Sequence, residues 1–302
     1  MTRSKTRHLV IALIFAIFMT GFFWISANAD PASAITVTVQ AENDNGGFII
    51  EPKEIEVTAG YADYLTDGSY YNDYPASNSD VTALDVLFAA HADYYGNDFD
   101  DESYGDFIDG SASYITTMFE IEAGSGNDGF PGIMFVVNGV QPNNGVVQQW
   151  PDWTGQGLDP TYGYTTYAMN QSVVSEGDVV NFFFINSYND IYTFINRNNT
   201  DLLGFDGYNT TFNTTDTLIF KGYDVFTRGY MVRSLWQDAP LVGATVYDYK
   251  RLVTVGTLDN NGSISFNDSQ VLNNLVSGDN YLTIIPSVSN VNYIPISFKV
   301  HK

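Results

Sequence analysis

The segment GFPGIMFVVNGVQPNNG, residues 129–145, constrains the fold more than any other. Five apolar residues, 133–137, run directly into Asn138-Gly139. Asn-Gly is a hairpin signal, because both central positions of a type I′ turn need positive φ, so the strand over 133–137 is expected to pair with the one after it. Downstream, SEGDVVNFFFI (175–185) reads as a turn around Glu176-Gly177-Asp178 followed by a buried strand. Between the two lies an aromatic, acidic excursion holding Trp150 and Trp153, the first choice for a recognition surface.

The rest of the chain must supply the other layers. At 302 residues it is long enough for two domains with substantial cores. Hydrophobic residues make up 44% against 16% charged, which argues against disorder. Tyr and Phe, 21 of each, favour strands over a helical bundle.

Arg3, Lys5, Arg7 and His8 precede an apolar run over 9–25, then Ala27-Asn28-Ala29 and Ala32-Ser33-Ala34, two small-x-small cleavage motifs. This is the order of a secretory signal peptide, expected over 1–34, and the run is short for a spanning helix. The exported chain then carries 9 basic against 34 acidic residues. Such a charge repels phosphate backbones and anionic lipid, so nucleic acid is excluded as a partner. Without cysteine, stability has to come from packed cores. The six Asn-x-Ser/Thr triplets, at Asn170, Asn198, Asn209, Asn213, Asn261 and Asn267, read as turn chemistry. The chain ends on an apolar pattern and His301-Lys302 with no wall-sorting tail, so surface retention is expected through the signal segment or a partner.

Residues 35–40 alternate strictly: Ile35, Val37 and Val39 against Thr36, Thr38 and Gln40, a half-buried strand. A second strand over 48–57 tolerates Pro52 at an edge. After a Tyr-rich loop over 61–78, a helix is expected with Ser79 or Asp80 as cap. Leu84, Leu87, Phe88 and His91 lie on one face, and Gly96 is the stop. His91 reads as packing or capping the helix end. Asp98, Asp100, Asp101 and Glu102 form an acidic cluster, a weak calcium candidate whose spacing departs from the EF-hand loop and reads better as a solvated loop. Further strands follow at 113–121, 133–137 and 179–185. Residues 188–216 are irregular in pattern. From 217 onward short strands separated by turns succeed one another without a helix, centred on PLVGATVYDY and VGTLDNNGSISF.

The expected fold is mainly β. A grasp-like α+β domain, a mixed sheet with one packed helix, spans 35–192; a linker or irregular edge spans 193–216; a small antiparallel β-sandwich spans 217–302. ITVTV, VTALDVLFAAH, YITTMFEI, GIMFVVNGVQPNNG and SEGDVVNFFFI occur in that order over 35–185. In this the first domain resembles the transcobalamin-like C-terminal domain family of bacterial surface proteins, with insertions at 61–78 and 148–164. PLVGATVY followed by Asp259-Asn-Asn-Gly resembles the carboxypeptidase-regulatory-like or bacterial Ig-like sandwiches, mostly spacers.

The first resemblance implies a ligand surface near 130–138 and cobalamin or another corrinoid as a candidate bound ligand, with a partner protein supplying the other face. On that reading Phe130, Phe135 and Asn138 line the ligand, with Trp150 and Trp153 closing over it. No cofactor is otherwise expected. Catalysis is not expected either: cysteine is absent, His91 is the sole histidine away from the chain ends, and no glycine-rich phosphate loop opens a helix. Two readings stay open: a non-enzymatic receptor for a small ligand, and an adhesive or structural surface module contacting protein or glycan through its aromatics.

Overall fold

The computed structural model describes residues 34–43, 46–61, 80–96, 108–111, 114–123, 132–138, 143–151, 158–166, 169–185, 191–197, 211–224, 239–285, 293–294 and 296–302, in several strands as backbone only. From Ala34 to Lys302 the chain forms one compact unit. It is mainly β with one packed helix, as the sequence pattern predicts.

In chain order, β1 (Ile35–Glu42) and β2 (Phe48–Val57) precede helix α1 (Ala83–Tyr95). Three short strands follow: β3 (Asp109–Ser111), β4 (Tyr114–Met118) and β5 (Ile121–Glu122). Next come β6 (Gly132–Val137), β7 (Asn143–Pro151), β8 (Leu158–Thr166) and β9 (Val179–Ile185). The remainder holds β10 (Ile191–Arg197), β11 (Thr211–Asn213), β12 (Thr217–Asp224), β13 (Ala239–Pro240), β14 (Thr245–Asp248), β15 (Val253–Thr257), β16 (Ser263–Ser265), a short helix α2 (Ser269–Asn274), β17 (Asp279–Ile285), β18 (Tyr293–Ile294) and β19 (Ser297–His301).

The first sheet has the order β2-β1-β9-β6. β1 and β9 are parallel and the other pairs antiparallel, so it is the expected mixed sheet. Val37, Val39 and Ala41 of β1, Phe135 of β6 and Phe182 of β9 face a core closed by α1. The cap falls two or three residues later than the predicted Asp80 or Ser79. Thr82 caps the helix, its Oγ1 accepting from Asp85 N (3.3 Å) while Asp85 Oδ2 accepts from Thr82 N (2.9 Å). This reciprocal box satisfies two otherwise orphaned donors, which neither Ser79 nor Asp80 can do from its position. Gly96 ends it with φ +62°, a conformation costly for other residues. Residues 83–91 are all buried rather than on one face only, and Ile108, Ile115, Met118 and Phe119 belong to the same core.

The segment expected as one strand over 113–121 is instead β4, a tight turn and β5. Phe119 and Glu120 both take positive φ (51° and 62°), which reverses the chain. The Asn-Gly turn also differs from expectation. Asn138 has the positive φ (49°) the pair favours, but β6 does not pair with the next strand. Its partner is β9, and β7 and β8 form a two-stranded ribbon of their own inserted between them.

Two five-stranded sheets make the C-terminal sandwich. One is β13-β12-β10-β18 with β16 on β12; the other is β11-β19-β17-β14-β15. Phe220, Phe266, Leu282 and Phe298 fill the space between. The sandwich is antiparallel except at β10–β18 and β11–β19, which are parallel. Part of the stretch expected as a linker, 193–216, therefore belongs to sandwich strands β10 and β11. Its Asn and Thr content hides strands that neighbouring strands hold in place. The helix α2 was not expected; Asp268 caps it through Gln270 N (2.8 Å) and it buries none of its residues.

Candidate functional site

Three places gather polar chemistry. The first is the corner where β1, β6 and β9 end together. Asn138 N donates to Val179 O (2.7 Å), its Oδ1 accepts from Val179 N (2.9 Å), and its Nδ2 donates to Asp178 Oδ1 (2.7 Å). Asp178 Oδ2 accepts from Ser175 N (2.8 Å), and Glu176 Oε2 accepts from Thr36 N (2.7 Å). The paired VNG and EGD motifs thus close strand ends. Asn138, expected against a ligand, has both ends of its amide bonded to the start of β9.

The other expected ligand residues are distributed as follows. Phe135 is 4% exposed and packs in the α1 core with its ring 6.4 Å from that of Phe182, not on an open face. Trp150 lies in β7, at backbone level one residue past the Gln149–Tyr162 pair. Phe130, Trp153 and the calcium candidates Asp98, Asp100, Asp101 and Glu102 lie outside the described residues, as does the expected signal peptide. Among the described residues no cluster of His, Cys, Asp or Glu could hold a metal, and no helix is long and apolar enough to cross a membrane.

The second place is His91, fully buried at the end of the helix core. Nδ1 lies 2.8 Å from Leu87 O and so carries the proton; Nε2 accepts Phe119 N at 2.8 Å and so is bare. The ring is neutral and stacks on Phe119 at 3.8 Å. It supports the positive-φ turn between β4 and β5, leaving neither nitrogen for proton transfer to a substrate.

The third place was not legible in the sequence. Glu42, the last residue of β1, is 2% exposed. Its Oε1 accepts from Asn181 Nδ2 of β9 (3.0 Å) and Gln40 Nε2 (3.3 Å), and Oε2 accepts from Ser297 N of β19 (2.8 Å). Burial pushes its pKa from 4.5 up to about 8, against the opposing hydrogen bonds from Asn181, Ser297 and Gln40. The only hint is that Glu42 continues the polar row Thr36, Thr38, Gln40. Its partner Ser297 is 255 residues away, beyond the reach of any local pattern.

The fold and these sites define a mainly β protein with a helix-covered mixed sheet, an inserted ribbon and a C-terminal sandwich. In comparisons with known proteins, no family model, curated protein or solved structure matches the chain.

Proposed function

We propose that this is an exported, non-enzymatic binding protein that presents the β7–β8 ribbon to a surface protein or glycan. One observation carries the reading. The chain leaves the sheet at Asn138 and returns at Val179, 41 residues on, within hydrogen-bonding distance of where it left. A short turn would join β6 to β9 equally well, so the sheet itself does not require the excursion. Long insertions on a rigid scaffold are where binding residues concentrate. Among the described residues β7 and β8 pair only with each other, and a lone two-stranded ribbon is marginal in water unless something else packs on it. Its sequence, with Trp150, Tyr162 and Tyr164 among Gln148 and Gln149, has the aromatic and amide composition of recognition surfaces.

The basic and apolar N-terminal segment supports export, and the engaged, neutral His91 supports a non-enzymatic role. Corrinoid binding is less favoured, because Phe135 is in the core and Asn138 is committed to β9. The test is binding of the exported protein to arrays of glycans and extracellular proteins, with calorimetry against cobalamin alongside. Trp150→Ala should weaken array binding about thirtyfold, and replacing 143–166 by a short Gly-Ser turn should abolish it, both with the melting temperature held. Array binding that survives removal of the ribbon overturns the proposal. Cobalamin binding lost with Trp150 restores the small-ligand reading in its place.

A further inference from the structure

The underside of the first sheet, away from α1, is also buried. Val136 of β6 and Phe183 of β9 join the sandwich core, and the polar row Thr38, Gln40 and Glu42 of β1 is 7%, 0% and 2% exposed. Glu42 and Gly47, just before β2, both bond to Ser297 of β19: Glu42 Oε2 accepts its N–H and Gly47 N donates to its Oγ, each at 2.8 Å. Tyr249, after β14, presses on Gly47, which takes φ +104°; a Cβ there would stand 3.0 Å from the ring.

We propose that Glu42 is a pH-operated bolt across this joint, holding the helix-bearing sheet to the sandwich while its carboxyl keeps a proton and releasing it on ionisation.

The geometry supports this in three ways. Every hydrogen-bond donor to Glu42 is neutral, so an ionised carboxylate there would be buried without a counter-charge, the costly arrangement. Gln40 Oε1 and Asn181 Oδ1 are buried without hydrogen-bond partners beside it. Flipping either amide offers a protonated carboxyl an acceptor, which an ionised one cannot use. Third, the charged groups around the joint are engaged elsewhere. Lys250 of the turn after β14 pairs with Glu51 of β2 at 2.6 Å. Asp279 of β17 is bonded by His301 at 2.7 Å and lies 3.9 Å from Lys299, both on β19. Tyr249 and Tyr281 are titratable but neutral in this range, their hydroxyls pushed up first by burial and also by Glu51.

The sign follows from the raised pKa. The folded chain holds this proton more tightly than the unfolded chain, so the contribution is complete below about 4.5, declines as pH rises, and is gone above about 8. Between pH 6 and pH 9 the two remaining units amount to a weakening of the joint on the order of a hundredfold.

Hydrogen exchange of the full chain, corrected for intrinsic rates, tests this at pH 6 and pH 9. Peptides covering 40–50 and 296–301 should lose protection at least about tenfold at the higher pH, while α1 keeps its protection. Glu42→Gln, which keeps the shape without the charge, should remove the change. The bolt is overturned if these peptides are unaffected, if α1 loses protection in parallel, or if Glu42→Gln shows the same loss. Should that variant fail to fold, infrared spectra of the natural chain decide: a carboxylic acid band at pH 7 that disappears as pH rises through about 8 supports the bolt, and its absence at pH 7 overturns it.

Discussion

Phe182 and Phe183 are adjacent in β9 and equally buried, at 0% and 1% exposed, yet they serve different cores. Phe182 packs under α1 with residues no further along the chain than β9 itself. Phe183 packs with strands up to a hundred or so residues later. The helix side of the sheet is closed mostly by apolar residues, with His91 buried at its end. The reverse side mixes Val136 and Phe183 with a buried polar row whose last member, Glu42, takes a partner from β19. A sheet face closed by nearby sequence reads as alternation. One closed by distant sequence reads as solvent-facing, because its buried polar residues look like surface residues.

The largest expected effect compares the two faces directly. Phe182→Ala and Phe183→Ala each remove a wholly buried ring and should each cost about 3–5 kcal/mol in urea unfolding. If Phe183→Ala costs under about 1 kcal/mol, the reverse face is not a core. His91→Ala probes the helix side alone. It leaves Phe119 N without an acceptor and a hole beside the ring, for a loss of about 2–4 kcal/mol. Gly47→Ala probes the reverse side alone. A side chain at φ +104° against Tyr249 should cost about 1–3 kcal/mol and shift protection at 296–301 more than at α1. Thr82→Ala removes one half of the capping box and should lower stability by about 1 kcal/mol, the smallest effect of the set.

The contrast explains what the sequence disclosed. Val37 and Val39 of β1, the helix ending at Gly96 and the positive φ at Asn138 are local matters: strand alternation, a C-cap glycine and a turn residue. The mixed sheet with its packed helix followed from them. What stayed hidden depends on contacts between distant segments. Gln40 and Glu42 carry no mark of burial, since the backbone partner of Glu42 is Ser297, 255 residues away. The strands β10 and β11 sit in Asn- and Thr-rich sequence that reads as irregular until β12 and β19 pair with them. Asn138 was legible as a turn residue but not as a tie to β9, because its partners Asp178 and Val179 are about forty positions away. Of the expected ligand face, Phe135 illustrates the general difficulty. An apolar residue in a strand beside a turn suits a core or a binding surface equally, and only the arrival of α1 decides between them.

If both faces of the first sheet are cores, the helix-bearing sheet and the sandwich unfold together. Differential scanning calorimetry of the chain from Ala34 to Lys302 at pH 6 measures this directly. A single transition with equal calorimetric and van't Hoff enthalpies is expected. Two resolved transitions, with Phe182→Ala lowering one and Phe183→Ala the other, would contradict it.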